Sequence, residues 1–230
     1  MTVKNETNGA AGKTIEIHGG TRLEGEVEIS GAKNAALPVM AAALLAPGRS
    51  VLRNIPRLRD VWTMLEIFRH LGVRGGFTGP DTLELDCSDL TGFSAPYHLV
   101  RRMRASVLVL GALLGRMGEA RVSVPGGCVI GPRPVDLHLK GLRSLNARLE
   151  IEHGYINART RGLKGGEVYL AGRFGSSVGA TTNTLLAAVA ARGKTVISGA
   201  ACEPEIVDLV GFLRKMGARI AGEGSHRIIV

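Results

Sequence analysis

The sequence predicts an α/β fold: an inside-out barrel of three repeated βαβ-type units, with sheets outside and a set of buried helices within. Three observations carry that expectation. A small-residue apolar run occurs three times, at Ala41-Ala42-Ala43-Leu44-Leu45, Leu110-Gly111-Ala112-Leu113-Leu114 and Leu185-Leu186-Ala187-Ala188-Val189. Each run closes at a glycine, Gly48, Gly118 or Gly193, spaced by 70 and 75 residues, a period too long for ordinary solenoid repeats. After each glycine the same order returns: a β-branched strand, a loop with proline, a one-sided helix and a further strand.

The opening, Met1 to Gly12, is polar and aperiodic and reads as a loose tail. Gly25 to Ile29 reads as a strand leading into the first apolar run. The runs are apolar all round, so their helices belong inside, and a closing glycine suits a helix C-terminus. The strands that follow are Ser50-Val51-Leu52, Arg121-Val122-Ser123-Val124 and Thr195-Val196-Ile197. The amphipathic helices end at Leu71-Gly72, Leu145-Asn146 and Met216-Gly217. In the first, Leu65, Phe68 and Leu71 form one stripe, with Arg69 and His70 off it. Asn146 stands where the other units have glycine, which is sensible because asparagine tolerates the left-handed conformation. Arg148-Leu149-Glu150-Ile151 and Arg219-Ile220-Ala221 read as closing strands.

A 45% apolar and 21% charged composition suits a packed core. No stretch has the roughly 18–20 apolar residues of a membrane span, and the N-terminus lacks a secretory layout. Three widely spaced cysteines, Cys87, Cys128 and Cys202, argue against a disulfide framework and for a cytoplasmic protein. The net charge of +9 favours anionic partners. Aromatics are only 4% and do not interleave with the arginines, so phosphorylated small molecules fit better than nucleic acid. There is no Walker-type loop and no zinc-ligand spacing, and neither metal nor cofactor is expected.

Four stretches could carry chemistry. Ser30 to Pro38 places Lys33 and Asn34 where the first buried helix opens, either as an anion site or as a solvent-facing lysine with an asparagine cap. Arg101-Arg102-Met103-Arg104 occupies the same junction in the second unit. Arg104, directly before the apolar run, is the residue expected to face the site; the alternative is an exposed basic turn. Val124 to Asp136 is a shaped loop of glycines and prolines, a lid or a cradle. Cys128 lies within it near Arg133, a setting that favours an accessible, reactive thiol. Gly175 to Asn183 opens the third buried helix with small hydroxyl residues, which can hold a phosphate or serve as ordinary caps.

Five segments together resemble one family. They are Gly31 to Pro38, Met103-Arg104-Ala105-Ser106, Pro125-Gly126-Gly127-Cys128 with Gly131 to His138, Ser177 to Thr181, and Glu203 to Asp208. In order, from about Ile15 to Val230, they are similar to the UDP-N-acetylglucosamine 1-carboxyvinyltransferases, which are enolpyruvyl transferases. The cysteine loop separates that family from the shikimate-pathway enolpyruvyl transferases. The resemblance implies transfer of the enolpyruvyl group of phosphoenolpyruvate to the 3-hydroxyl of UDP-N-acetylglucosamine, with release of phosphate, in peptidoglycan precursor synthesis. It assigns Lys33 to phosphoenolpyruvate and Asn34 to the sugar or the intermediate. Arg104 and Arg133 would bind substrate anions. Cys128 would be the lid cysteine, a proton donor or transient covalent partner and the target of fosfomycin. Arg133, Pro134, Val135, Asp136 and Leu137, with Ser177, Val178 and Gly179, would line the UDP-sugar site.

Members of that family have two such three-unit domains, with the site between them. By resemblance, residues 13–32 are strands belonging to the other domain and 33–230 form one three-repeat domain. The chain therefore reads as an N-terminal half that expects a C-terminal half as partner. The alternative is a UDP-sugar-binding module without chemistry. Arg173-Phe174-Gly175-Ser176 departs from the family pattern just before Ser177.

Overall fold

A computed structural model of the chain describes residues 16–20, 22–125 and 135–230. Helix α1 (Lys33–Ala43) is followed by strand β1 (Arg49–Leu52), helix α2 (Arg59–His70) and strands β2 (Arg74–Phe77) and β3 (Leu83–Asp86). The second unit contains β4 (Ser94–Ala95), the short α3 (Tyr97–Val100), a 3-10 turn (Arg104–Leu108), α4 (Val109–Met117) and β5 (Glu119–Ser123). It closes with α5 (Asp136–Ser144), β6 (Arg148–Glu152) and β7 (Tyr155–Arg159). The third has β8 (Glu167–Tyr169), α6 (Val178–Ala188), β9 (Val196–Ser198), α7 (Pro204–Lys215) and β10 (Arg227–Ile229).

The repeat is visible in the sheets. Antiparallel strands run in the order β1-β3-β2 in the first unit and β5-β7-β6 in the second. In the third, β9 pairs with β10, and Ala221 bridges Ile229 where β2 and β6 stand in the others. The expected strand at Arg219–Ala221 is thus reduced to that single bridge. In units two and three a strand ahead of the inner helix, β4 or β8, pairs in parallel with β5 or β9, which completes the βαβ pattern. In unit one the corresponding residues, 25–29, form no strand, and among the described residues β1 pairs with β3 alone. The strand expected there does not form within this chain.

Helices α1, α4 and α6 are the buried ones, as their composition requires. All of α6 from Ala180 to Ala188 is buried, as is α1 from Ala36 to Ala43. The stripe of α2 holds too, with Leu65, Phe68 and Leu71 inside and Arg69 and His70 exposed. The inner helices touch closely where glycine permits it. A Cβ on Gly111 would stand 2.3 Å from the backbone oxygen of Asn183, so only a glycine of α4 lets the α6 backbone come this close.

The closing glycines divide into two kinds. Gly118 caps α4 directly in the left-handed conformation, whereas α1 and α6 end earlier and Gly48 and Gly193 lie in the turns toward β1 and β9. Asn146 adopts φ 67°, the left-handed cap expected of it. No helix among the described residues is long and apolar enough to cross a membrane.

Candidate functional site

The amino-terminal end of the inner helix cluster gathers the charged and hydrogen-bonding groups. α1 begins at Lys33, with Ala32 at its cap position and no side-chain cap bond. Asn34 is therefore not the cap; it lies in the first turn and is exposed. Lys33 Nζ lies 2.8 Å from Oδ2 of Asp60, which occupies the first turn of α2. Asp60 suits that place, because a helix N-terminus stabilises a carboxylate. Two helix starts are thus joined by one half-exposed ion pair.

Arg104 opens the 3-10 turn that leads into α4 and is half-buried. That turn packs against both α1 and α6. Its charge is felt by His138, a buried residue of α5. Arg101 and Arg102 go elsewhere: Arg101 lies over the Tyr97 ring and Arg102 pairs with Glu66.

The third opening is the start of α6. Ser177 is its N-cap and accepts from the Ala180 N–H at 3.3 Å. Val178 and Gly179 follow and, like Ser177, are half-buried. The remaining N–H groups of this turn lack helical acceptors, the usual basis of anion binding at a helix N-terminus. α5 packs beside α6. Val135 takes its N-cap position, Asp136 is exposed at its first residue, and Leu137 reaches the turn that begins at Gly172. That turn is closed by reciprocal backbone bonds between Gly172 and Gly175 and carries Arg173 and Phe174 outward.

Sequence reasoning gave no role to His138. It is 3% exposed, and its Cε1–Nε2 edge lies against Gly179, where an added Cβ would come within 3.0 Å of Cε1. Burial pushes its pKa down to about 4; the Arg104 charge acts in the same direction and the Asp136 carboxylate opposes it. The imidazole is therefore neutral near pH 7. Its place in the Asp136-Leu137-His138 run, one turn into α5, was the available signal.

The structure thus brings Arg104, Val135, Asp136, Leu137 and Ser177 to Gly179 around the start of α6, with Lys33 and Asn34 at the start of α1, a helix that also contacts the Arg104–Leu108 turn. Cys128, Arg133 and Pro134 lie outside the described residues. Of the other thiols, Cys87 is buried and pushed up to about 11, chiefly by burial. Cys202 is half-buried, with Sγ 3.4 Å from Nδ1 of His226, rather than sealed in the core.

Comparison with known proteins bears on the family and the fold. The family model for EPSP synthase (3-phosphoshikimate 1-carboxyvinyltransferase) matches residues 17–230. The UDP-N-acetylglucosamine 1-carboxyvinyltransferase of Dichelobacter nodosus (strain VCS1703A) is 50% identical over 216 residues, 94% of this chain and 51% of that protein. UDP-N-acetylglucosamine 1-carboxyvinyltransferase 2 of Carboxydothermus hydrogenoformans is 53% identical over 212 residues, 92% of this chain and 50% of that protein. The chain spans about half the length of these relatives. Among solved structures, the enolpyruvyl transferase NikO from Streptomyces tendae superposes with a TM-score of 0.78 at 26% identity. That match covers 93% of this chain and 49% of NikO. An EPSP synthase from Acinetobacter baumannii gives a TM-score of 0.66 at 18% identity, covering 90% and 46%, and bears on the fold alone.

Proposed function

Because the chain belongs to the EPSP synthase family, we propose that it is the N-terminal half of an enolpyruvyl transferase acting on phosphoenolpyruvate and UDP-N-acetylglucosamine. The observation that carries this reading is the clustering of Arg104, His138 and the start of α6, in a chain half-identical to enzymes named for that reaction. The chemistry is addition of the sugar 3-hydroxyl to C2 of phosphoenolpyruvate with a proton delivered to C3. The tetrahedral adduct then loses phosphate from C2 and a proton from C3, which restores the double bond.

In this reading the UDP-sugar diphosphate lies at the amino end of α6, held by the N–H groups beyond Ser177 and flanked by Val178 and Gly179. Arg133 through Leu137 line its nucleotide side. Lys33 and Arg104 receive the phosphate and carboxylate of phosphoenolpyruvate, and Asn34 meets the sugar or the adduct. Cys128 supplies or relays the proton and is the residue fosfomycin alkylates. Preorganised cations at a site where negative charge develops are the main means by which such a fold lowers the barrier. The reaction belongs to cytoplasmic peptidoglycan precursor synthesis.

A second half is part of the proposal. Ile17, Leu23, Val27 and Ile29 all fall on odd positions and are more than 80% exposed, while Glu16, His18, Arg22, Glu24, Glu26 and Glu28 alternate with them. That is the period of a strand with one face meant for burial, and within the described residues nothing covers it. Residues 13–32 are read as strands of the C-terminal domain.

A non-catalytic UDP-sugar-binding module is the competing reading, favoured by the half-length match alone. Calorimetry separates them. UDP-N-acetylglucosamine titrated into the chain should bind weakly, and more tightly once a C-terminal half from a relative is added. Affinity unchanged by that half favours the module, and no binding in either case refutes both.

A further inference from the structure

Asn183 lies in the middle of α6, fully buried, with its carboxamide bonded on every side. Its Oδ1 accepts from the Gly111 N–H at 2.8 Å, and its Nδ2 donates to the Val107 carbonyl at 3.0 Å. Val107 and Gly111 are i and i+4 across the junction of the 3-10 turn with α4, the spacing of a helical hydrogen bond. Because one is a backbone donor and the other a backbone acceptor, the amide can point only one way.

The second hydrogen of Nδ2 is left for Nδ1 of His138, 2.8 Å away. A ring nitrogen that accepts carries no proton, so the imidazole must hold its proton on Nε2. The Nε2 edge is the one that lies against Gly179. Protonation of Nδ1 would set two donors face to face. Among charged groups, Arg104 also opposes a positive ring and Asp136 favours one.

We propose that Asn183 is a positioning residue that locks His138 in its Nε2–H form, making the imidazole a neutral hydrogen-bond donor to the diphosphate of a nucleotide-sugar at the amino end of α6. The donor role rests on the nucleotide-sugar reading; the lock itself does not. The arrangement links all three elements that meet there, since one side chain of α6 sets the junction before α4 and the ring on α5.

Long-range proton–nitrogen NMR of the histidine rings, with the His138 signals assigned by their loss in His138→Gln, tests the lock directly. In the unmodified chain Nδ1 should be unprotonated and Nε2 protonated from pH 5.5 to 8. A protonated Nδ1 in that protein overturns the proposal and does not depend on any Asn183 variant folding. In Asn183→Asp the carboxylate can only accept, so the proton should move to Nδ1; an unchanged tautomer in the folded variant also overturns it. UDP-N-acetylglucosamine, whose diphosphate keeps its charge over this range, should bind the unmodified chain with an affinity flat in pH. It should bind Asn183→Asp about tenfold more weakly, the scale of one hydrogen bond to a charged group. Equal affinity in the two despite different tautomers overturns the donor role. An unmodified chain with the expected tautomer but no affinity for UDP-N-acetylglucosamine, with or without a C-terminal half, confirms the lock and refutes the nucleotide-sugar reading.

Discussion

Lys33 Nζ and Asp60 Oδ2, 2.8 Å apart, join the first turns of α1 and α2 and hold the lysine at the edge of the site. Both side chains keep substantial solvent access, 42% and 28%, so the pair contributes less than about 1 kcal/mol to stability. Lys33→Gln should unfold in urea within that margin of the parent chain. It should nevertheless lose phosphoenolpyruvate binding in the reassembled two-half protein, measured by calorimetry. Retained binding would remove Lys33 from the site.

His138 makes stability depend on pH. Its folded-state pKa is depressed to about 4, below the roughly 6.5 of an unfolded histidine. Between those values the unfolded chain binds more protons, so stability falls as pH drops through that window and levels off below it. The contribution is up to about 3 kcal/mol. Urea unfolding of the chain and of His138→Gln at pH 7 and pH 4 measures it: the parent should lose more stability than the variant over that range.

Gly111→Ala should destabilise the fold. The added methyl would meet the Asn183 backbone at 2.3 Å, and backbone cannot yield as a flexible side chain can. Overpacking of this kind costs about 1–3 kcal/mol, against a gain of at most about 1 kcal/mol from alanine's helix propensity. A urea midpoint that rises would contradict the close α4–α6 approach.

The thiols should react in a fixed order. Cys87, buried and held protonated with a pKa near 11, should resist a thiol reagent until the chain unfolds. Cys202, half-buried beside His226, should react in the folded state. Peptide mapping after timed alkylation shows the order, and early labelling of Cys87 would contradict its burial.

Much of this architecture was legible in the sequence because it is periodic. The apolar runs fixed the three inner helices, and the Gly-or-Asn position after each outer helix marked a left-handed turn, seen at Asn146 with φ 67°. What was not legible depended on partners. Residues 25–29 alternate as a strand should, but a strand needs a neighbour, and none of the described residues supplies one. Arg219 to Ala221 pairs through a single bridge, Ala221 with Ile229, because in that antiparallel register Arg219 and Ile220 fall beyond β10. Of the candidate site, Lys33, Arg104 and Ser177 could be placed because each sits at the start of a recognisable helix or turn. His138 and Asn183, 45 residues apart, look like an ordinary helical histidine and asparagine until α5 and α6 are packed together. Cys128, Arg133 and Pro134 fall outside the described residues and keep the roles assigned to them as proposals.

The half-enzyme reading is tested most directly by phosphate release from phosphoenolpyruvate, dependent on UDP-N-acetylglucosamine, from this chain alone and from its mixture with a C-terminal half of a relative. Little or no release is expected from the chain alone, release from the mixture, and loss of that release on Cys128→Ala. A folded mixture that binds both substrates yet releases no phosphate would contradict that reading.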